Sequence, residues 1–386
     1  MRTVLKIIAD SHAPDARLAK EIRSLANYGF HIDVICWDRD RSNNLSSFEN
    51  NYHGSVYRMQ KGAGRGSAFK YVFRLFLFYI YTLNMYRKVK PDFVHIHSLQ
   101  VLPLGALLKI ISRIKLIYDV HEITETFGVN VHNKLGVYIT RIERFFLSYV
   151  DGIVVATEAL EDRYKAWTKN KISVITLLNC LDFEPVIKLK DYQTDTLVLG
   201  RIGSLRPKSR FDILAEAIKM VNDRGYKTYF HYAGTAVSGY EEVRRKYHKK
   251  IQEFSTYTPW VAVTDFSEFY SKVHAIINIH ETGDPLEEKF VYFSKVFEAS
   301  AYGVPSIIND YPSMSPIINK HGIGVVVPNE TIEAFADAII ALHKRKKILG
   351  QFSRNCELFV KEYVNWGIME ERLISFYKKL SNQCAE

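Results

Sequence analysis

The segment Phe293-Ser294-Lys295-Val296-Phe297-Glu298-Ala299-Ser300-Ala301-Tyr302-Gly303-Val304-Pro305 lies between two short apolar runs, Ala275–Ile279 and Ser306–Ile308. Ser294 is placed to cap a helix, and Gly303 with Pro305 marks its stop. The stretch therefore reads strand, helix, strand. The same alternation extends outward in both directions, as parallel sheets covered by helices require. Toward the C-terminal side it continues through Gly324–Val327 and the helical pattern Ile332–Lys347 to two further helical patterns ending near Leu380. Toward the N-terminal side it includes strands at Thr196–Ile202, Thr228–Ala233 and Trp260–Thr264, with helices at Arg210–Arg224 and Gly239–Thr256. Before these comes a separate series of strands: Val4–Ala9, Ile32–Trp37, Ser55–Met59, Phe93–His97, Lys115–Tyr118, Gly152–Ala156 and Ser173–Leu177. Its first helix, Arg17–Tyr28, ends at Gly29. The polar stretch Phe183–Asp195 separates the two series and reads as a linker. The expected architecture is α/β, with two doubly wound, Rossmann-like domains facing across a cleft. Such sheets bind ligands beyond the carboxyl ends of their strands.

Composition narrows the class. The chain has 386 residues, too many for one ordinary domain, and is 47% hydrophobic and 24% charged, which excludes a disordered chain. A net charge of +10 points to an anionic partner: a phosphorylated ligand, an acidic membrane surface or nucleic acid. Cys36, Cys180, Cys356 and Cys384 are scattered and read as reduced thiols of a cytoplasmic protein. The N-terminal run carries Lys6 within its first strand, unlike the core of a signal peptide. No run reaches the roughly 20 apolar residues of a membrane-spanning helix.

Glu298 falls in the first turns of its helix. A carboxylate there accepts hydrogen bonds from both hydroxyls of a ribose, each charge-assisted bond contributing about 1.5–3 kcal/mol. The helix start at Ser294, Lys295 and Val296 offers N–H groups to a diphosphate. Alternatively, Glu298 is a solvated helix residue. A second basic turn, Gly203-Ser204-Leu205-Arg206-Pro207-Lys208-Ser209-Arg210, joins a strand to a helix and suits two phosphates. Arg206 with Lys208 or Arg210 is the preferred set, although Gly200-Arg201 with Lys208 offers another. His95, His97 and His121 stand at strand ends. Gly62–Gly66 lacks the spacing of a dinucleotide-binding loop, and Asp38-Arg39-Asp40 has no further acidic partner for a metal.

Taken together, these motifs resemble the retaining family-4 (group 1) glycosyltransferases of the GT-B fold. Lys295, Phe297, Glu298, Ala301, Gly303 and Pro305 stand at the places of the family's donor-binding motif. The resemblance implies that Glu298 contacts the nucleotide ribose. A second glutamate is common eight residues earlier; here Phe290 occupies that place, with Glu287, Glu288 and Glu281 nearby. Tyr118-Asp119-Val120-His121-Glu122 is similar to a branch of the family in which the histidine lies beside the donor sugar, so His121 joins Glu298 as a catalytic expectation. The Arg and Lys of the basic turn, Gly234 and Asn179 have counterparts too, as does the opening Pro14-Asp15-Ala16-Arg17 on the acceptor side. Residues 1–185 would form the acceptor-side domain and residues 195–365 the nucleotide-sugar domain. The tail, 366–386, would be a helix returning to the first domain. The implied reaction moves a sugar from a UDP- or GDP-linked donor to a hydroxyl, with retention and with neither metal nor cofactor, in cell-surface polysaccharide or glycolipid assembly. Two other classes stay open: a nicotinamide-dependent dehydrogenase or epimerase, and a noncatalytic protein that binds anionic surfaces.

Phe69–Tyr86 is aromatic almost all round and ends in Arg87-Lys88-Val89-Lys90. It reads either as a buried helix or as an interfacial one, holding the protein peripherally on the cytoplasmic leaflet near a lipid-linked acceptor.

Overall fold

The computed structural model describes residues 2–9, 16–38, 54–60, 68–121, 123, 134–181, 190, 192 and 194–382. Two compact units emerge, Met1–Asn179 with Gly367–Glu386, and Cys180–Trp366.

The first unit is built on strands β1 (Thr3–Ile8), β2 (His31–Trp37), β3 (Val56–Met59), β4 (Phe93–His97), β5 (Lys115–Asp119), β6 (Gly152–Val155) and β7 (Ser173–Thr176). They pair in parallel in the order β3-β2-β1-β4-β5-β6-β7. Between them run α1 (Ala16–Asn27), α2 (Ala68–Val89), α3 (Leu102–Ile111), α4 (Lys134–Phe146) and α5 (Glu158–Trp167). Parallel connections are right-handed, so α1 covers one face of the sheet while α2–α5 cover the other. Neighbouring residues of β5 show this alternation. Tyr118 donates to Glu143 of α4 (2.9 Å), whereas Asp119 turns to the opposite face and accepts from Arg17 of α1 (3.0 Å).

The second unit has β8 (Leu197–Ile202), β9 (Thr228–Ala233), β10 (Ser255–Thr258), β11 (Ala275–Asn278), β12 (Ser306–Asn309) and β13 (Gly324–Val327), in the order β10-β9-β8-β11-β12-β13. Every pairing is again parallel. Its helices are α6 (Phe211–Asp223), α7 (Glu241–Ile251), α8 (Phe266–Ser271), α9 (Pro285–Phe290), α10 (Ser294–Ala301), α11 (Ser315–His321), α12 (Ile332–Lys344) and α13 (Lys347–Glu362). Leu199, Phe211, Leu214, Ile218, Phe230, Ile277, Phe335 and Ile339 are buried together between sheet and helices. The last helix, α14 (Trp366–Asn382), packs on the first sheet beside α1. There the Tyr377 ring lies 5.5 Å from Phe30 and 5.3 Å from Phe93.

One expected strand is corrected. Trp260–Thr264 is not extended: Val263–Asp265 forms a single 3-10 turn and Trp260 is exposed. The edge strand is instead Ser255–Thr258, because the helix expected through Thr256 ends at Ile251 and the polar β-branched run after it pairs with β9. Cys36, Cys180 and Cys356 are buried free thiols.

Candidate active site

In the second unit, strand order reverses between β8 and β11, and the loops leaving these two strands meet. Glu281 N–H donates to the Lys208 carbonyl (2.9 Å), and Lys208 Nζ donates to Glu287 Oε2 (2.7 Å). Gly203 and Gly234 end β8 and β9 with φ of +127° and +134°, values that favour glycine. A Cβ on Gly234 would lie 2.1 Å from the Gly203 carbonyl oxygen, so the two turns nest only because that side chain is missing. A Cβ on Gly203 would stand 3.8 Å from the Lys295 side chain, which brings the start of α10 against the same turns.

Glu298 is no solvated helix residue. It is buried; Tyr270 OH donates to Oε1 (2.5 Å) and Lys295 Nζ to Oε2 (2.8 Å). Tyr270 is locked in turn by stacking on Tyr302, with ring centroids 4.8 Å apart. Burial, and then the Glu298 charge, push the Tyr270 phenol well above its ordinary range, so it stays a donor. An ionised carboxylate offers about four acceptor positions. Two are used here, and two are left for a diol.

The other expected residues divide. Ser294 is the first helical residue, not the cap; Phe293 precedes the helix. Val296 is buried and its N–H donates to Phe293 O (2.9 Å), so it packs the helix start instead of facing a phosphate. Arg206 is exposed on the loop after β8, where Ser209 Oγ accepts from its N–H (2.9 Å). Arg210 sits at φ 40° with its guanidinium forked onto Asp212 (3.3 and 3.1 Å). Arg201 belongs to the scaffold. It is buried and donates to the carbonyls of Gly203 (3.0 Å) and Ser204 (3.1 Å), holding the glycine turn from beneath. Phe290 is buried at the end of α9, so it offers nothing to a polar ligand, and Glu287 of α9 is the carboxylate joined to the basic loop. Helix α9 is absent from the sequence expectation, although Asp284 before Pro285 is a start signal; its carboxylate caps Leu286 (3.0 Å) and Glu287 (3.3 Å).

The first unit carries a second polar centre, on the α1 face at the β1–β4 reversal. Lys6 Nζ contacts Glu21 Oε2 (2.5 Å) and His95 Nδ1 (3.1 Å), and Arg17 bridges Glu21 (3.1 Å) and Asp119 (3.0 Å). Tyr377 OH reaches His95 Nδ1 (2.8 Å). The His95 and His97 rings stack at 4.6 Å. His97 Nδ1 lies 3.1 Å from His121 Nε2 and 3.4 Å from Asp119. His121 follows β5 with its side chain about 25% exposed, so it is the histidine of the three that reaches solvent. Burial, then the Lys6 charge, hold His95 and His97 well below the ordinary histidine range, leaving both neutral. Glu21, His95, His97 and Asp119 bring ligand-type atoms within 4.8 Å of one another. Lys6 and Arg17 already balance the two carboxylates there, so a divalent cation would add uncompensated charge. Asp38 is buried after β2, whereas Pro14, Asp15, Asp40, Gly62–Gly66 and Glu122 lie outside the described residues.

Residues 17–177 match the family model described as Glycosyltransferase Family 4, and residues 196–345 match that described as Glycosyl transferases group 1. The chain belongs to these glycosyltransferases. Its two Rossmann-like domains are those of the GT-B fold, and solved glycosyltransferases superpose along the whole chain. Sucrose-phosphate synthase from Thermosynechococcus elongatus is 15% identical with a TM-score of 0.75, covering 99% of this glycosyltransferase and 100% of that chain. Anabaena HepE in complex with UDP is 12% identical at a TM-score of 0.72, covering 98% and 100%. The glycosyltransferase of Rickettsia africae is 13% identical at 0.72, covering 98% of each chain. No curated protein matches this glycosyltransferase by sequence.

Proposed function

We propose that the protein transfers a hexose from a UDP- or GDP-linked donor to a hydroxyl acceptor, with retention and without a metal or cofactor. The buried Glu298, oriented by Tyr270 and Lys295 beside the Gly203 and Gly234 turns, carries this reading. The carboxylate would accept from the ribose diol. Lys295, Arg206, Lys208 and the N–H groups of Ser294 and Lys295 would bind the diphosphate and stabilise it as it departs. Anabaena HepE binds UDP-glucose, a donor of this class. A thermal-shift screen of UDP, GDP and NAD tests the class directly. Stabilisation by NAD alone would favour a dehydrogenase, although no glycine follows β1 in Asp10–Asp15.

His121 would face the transferred sugar, steadied by His97 and, behind it, Asp119. His121→Ala then lowers kcat on the order of a hundredfold with little change in nucleoside diphosphate affinity. Equal loss of UDP or GDP binding by calorimetry would make the residue structural.

Activity is expected to survive excess EDTA, because Lys6 and Arg17 already supply positive charge in the His-rich cluster. Loss restored by manganese would reverse this assignment and return attention to Asp38 and Asp119.

The acceptor would be lipid-linked and reached at the cytoplasmic leaflet, as a step of cell-surface polysaccharide or glycolipid assembly. No helix among the described residues is long and apolar enough to cross a membrane.

A further inference from the structure

Exposed large hydrophobic side chains are not spread over the surface. Of the 17 among the described residues, 13 lie on α2, α3 and α4. Helix α2 presents Phe69, Val72, Phe73, Phe76 and Ile80 outward, while Phe78 and Thr82 on its other side are buried. Leu107, Ile110 and Ile111 of α3 are exposed, as are Leu135, Val137, Tyr138, Ile142 and Phe145 of α4. The three helices form one layer on the same face of the sheet. Tyr79 OH reaches the Gln100 carbonyl (2.5 Å) and Tyr86 OH reaches Ser112 (2.6 Å), tying α2 to both ends of α3, which also touches α4.

Charge on this layer has one sign. Its sole acidic residue, Glu143, is buried and accepts from Tyr118 and Tyr164. Lys70, Arg87, Lys88, Arg141 and Arg144 are exposed. At the shared end of α2 and α3 opens a cavity of about 560 Å³, lined by Arg2, Arg87, Lys90, Arg113, Lys115 and one acid, Asp92. Asp92 accepts from Thr3 N–H (2.7 Å), and Arg2, Arg87, Lys90 and Arg113 make no ion pair among the described residues.

We propose that this three-helix layer, with its basic cavity, docks in the plane of an anionic lipid bilayer and takes a lipid phosphate into the cavity. The proposal deepens the lipid-linked acceptor reading and rests on it only for what the docking would serve, not for the docking itself. Apolar patches of this extent mark interaction surfaces. Aromatic and aliphatic side chains among Lys and Arg suit the headgroup boundary, where helices lie flat. A second copy fits poorly, because a two-fold contact would press the same cations together.

Flotation decides it, using vesicles of phosphatidylglycerol with phosphatidylcholine against phosphatidylcholine alone. The protein is expected to rise with the anionic vesicles at low salt and less at high salt. Phe69→Ser with Phe73→Ser and Phe76→Ser, and separately Tyr138→Ser with Ile142→Ser, abolish flotation. Arg87→Glu with Arg113→Glu weakens it at least about tenfold. All three variants keep the parent's melting temperature and UDP or GDP affinity. Three results would overturn the proposal: no flotation of the parent, flotation of the α2 and α4 variants like the parent's, or a parent dimer that those substitutions split. Flotation needs no acceptor, so a protein that floats yet glycosylates only water-soluble acceptors sinks the lipid-acceptor reading and leaves docking intact.

Discussion

Glu298→Gln is expected to weaken nucleotide-sugar binding between a hundredfold and ten-thousandfold while the protein still folds. Two charge-assisted bonds to a ribose contribute about 1.5–3 kcal/mol each, and both depend on a carboxylate with two acceptor positions free. An amide retains one oxygen. If that oxygen accepts from Tyr270, the NH2 group is turned on Lys295, and donor meets donor where the carboxylate had accepted at 2.8 Å. Lys295 is then released from the position that holds it beside Gly203. Diphosphate contacts would then suffer along with ribose contacts. Tyr270→Phe separates these effects. It removes only the 2.5 Å bond to Oε1, so it should cost far less affinity, on the order of tenfold. Calorimetry with UDP and GDP reads both variants. Parent-like affinity in Glu298→Gln would end the ribose assignment.

What made Glu298 legible was local. A helix stop at Gly303 and Pro305 fixes the helix, and the carboxylate five residues earlier follows by counting. Its partner Tyr270 lies 28 residues away in α8 and was invisible, because nothing in a tyrosine's neighbourhood announces a contact made through the fold. Arg201 and Arg206 show the same limit. Both are basic, and both flank Gly203. Only strand alternation and burial reveal that Arg201 points under the loop to hold carbonyls while Arg206 stands outside. Most strands were readable to within a residue or two, since parallel strands buried on both faces are continuous apolar runs. Ser255–Thr258 was missed for the converse reason. An edge strand of Ser, Thr and Tyr has no apolar run to find, and its extended form is fixed by pairing with β9.

Lys6→Met is expected to destabilise the first unit by about 3–5 kcal/mol, the usual cost of removing one partner from a buried ion pair. Lys6 and Glu21 are both fully buried, and Arg17 cannot replace Lys6 because its guanidinium is already shared with Asp119. Lys6→Met with Glu21→Leu should recover much of the loss, since a pair replaced by apolar side chains is often neutral. A merely steric role for Lys6 would instead leave the double variant no better than the single. Acid gives an independent check. Burial raises the Glu21 carboxyl, but the charges of Lys6 and Arg17 outweigh it and hold it far below the ordinary glutamate range. Its contribution is therefore present above about pH 4.5 and fades as pH falls toward the lowered folded-state value. His95 and His97 are depressed too, mainly by burial, so the unfolded chain takes up protons that the folded one refuses. That difference erodes stability from about pH 6.5 downward. Urea melts at pH 7.5, 5.5, 4 and 3 should thus show the parent weakening from about pH 6.5 downward as the histidine contribution is lost, with Glu21 adding to the loss below about pH 4.5. The double variant should lack the Glu21 part. A parent whose stability is flat from pH 7.5 to 4 would mean that the cluster is open to water and contributes little to the fold.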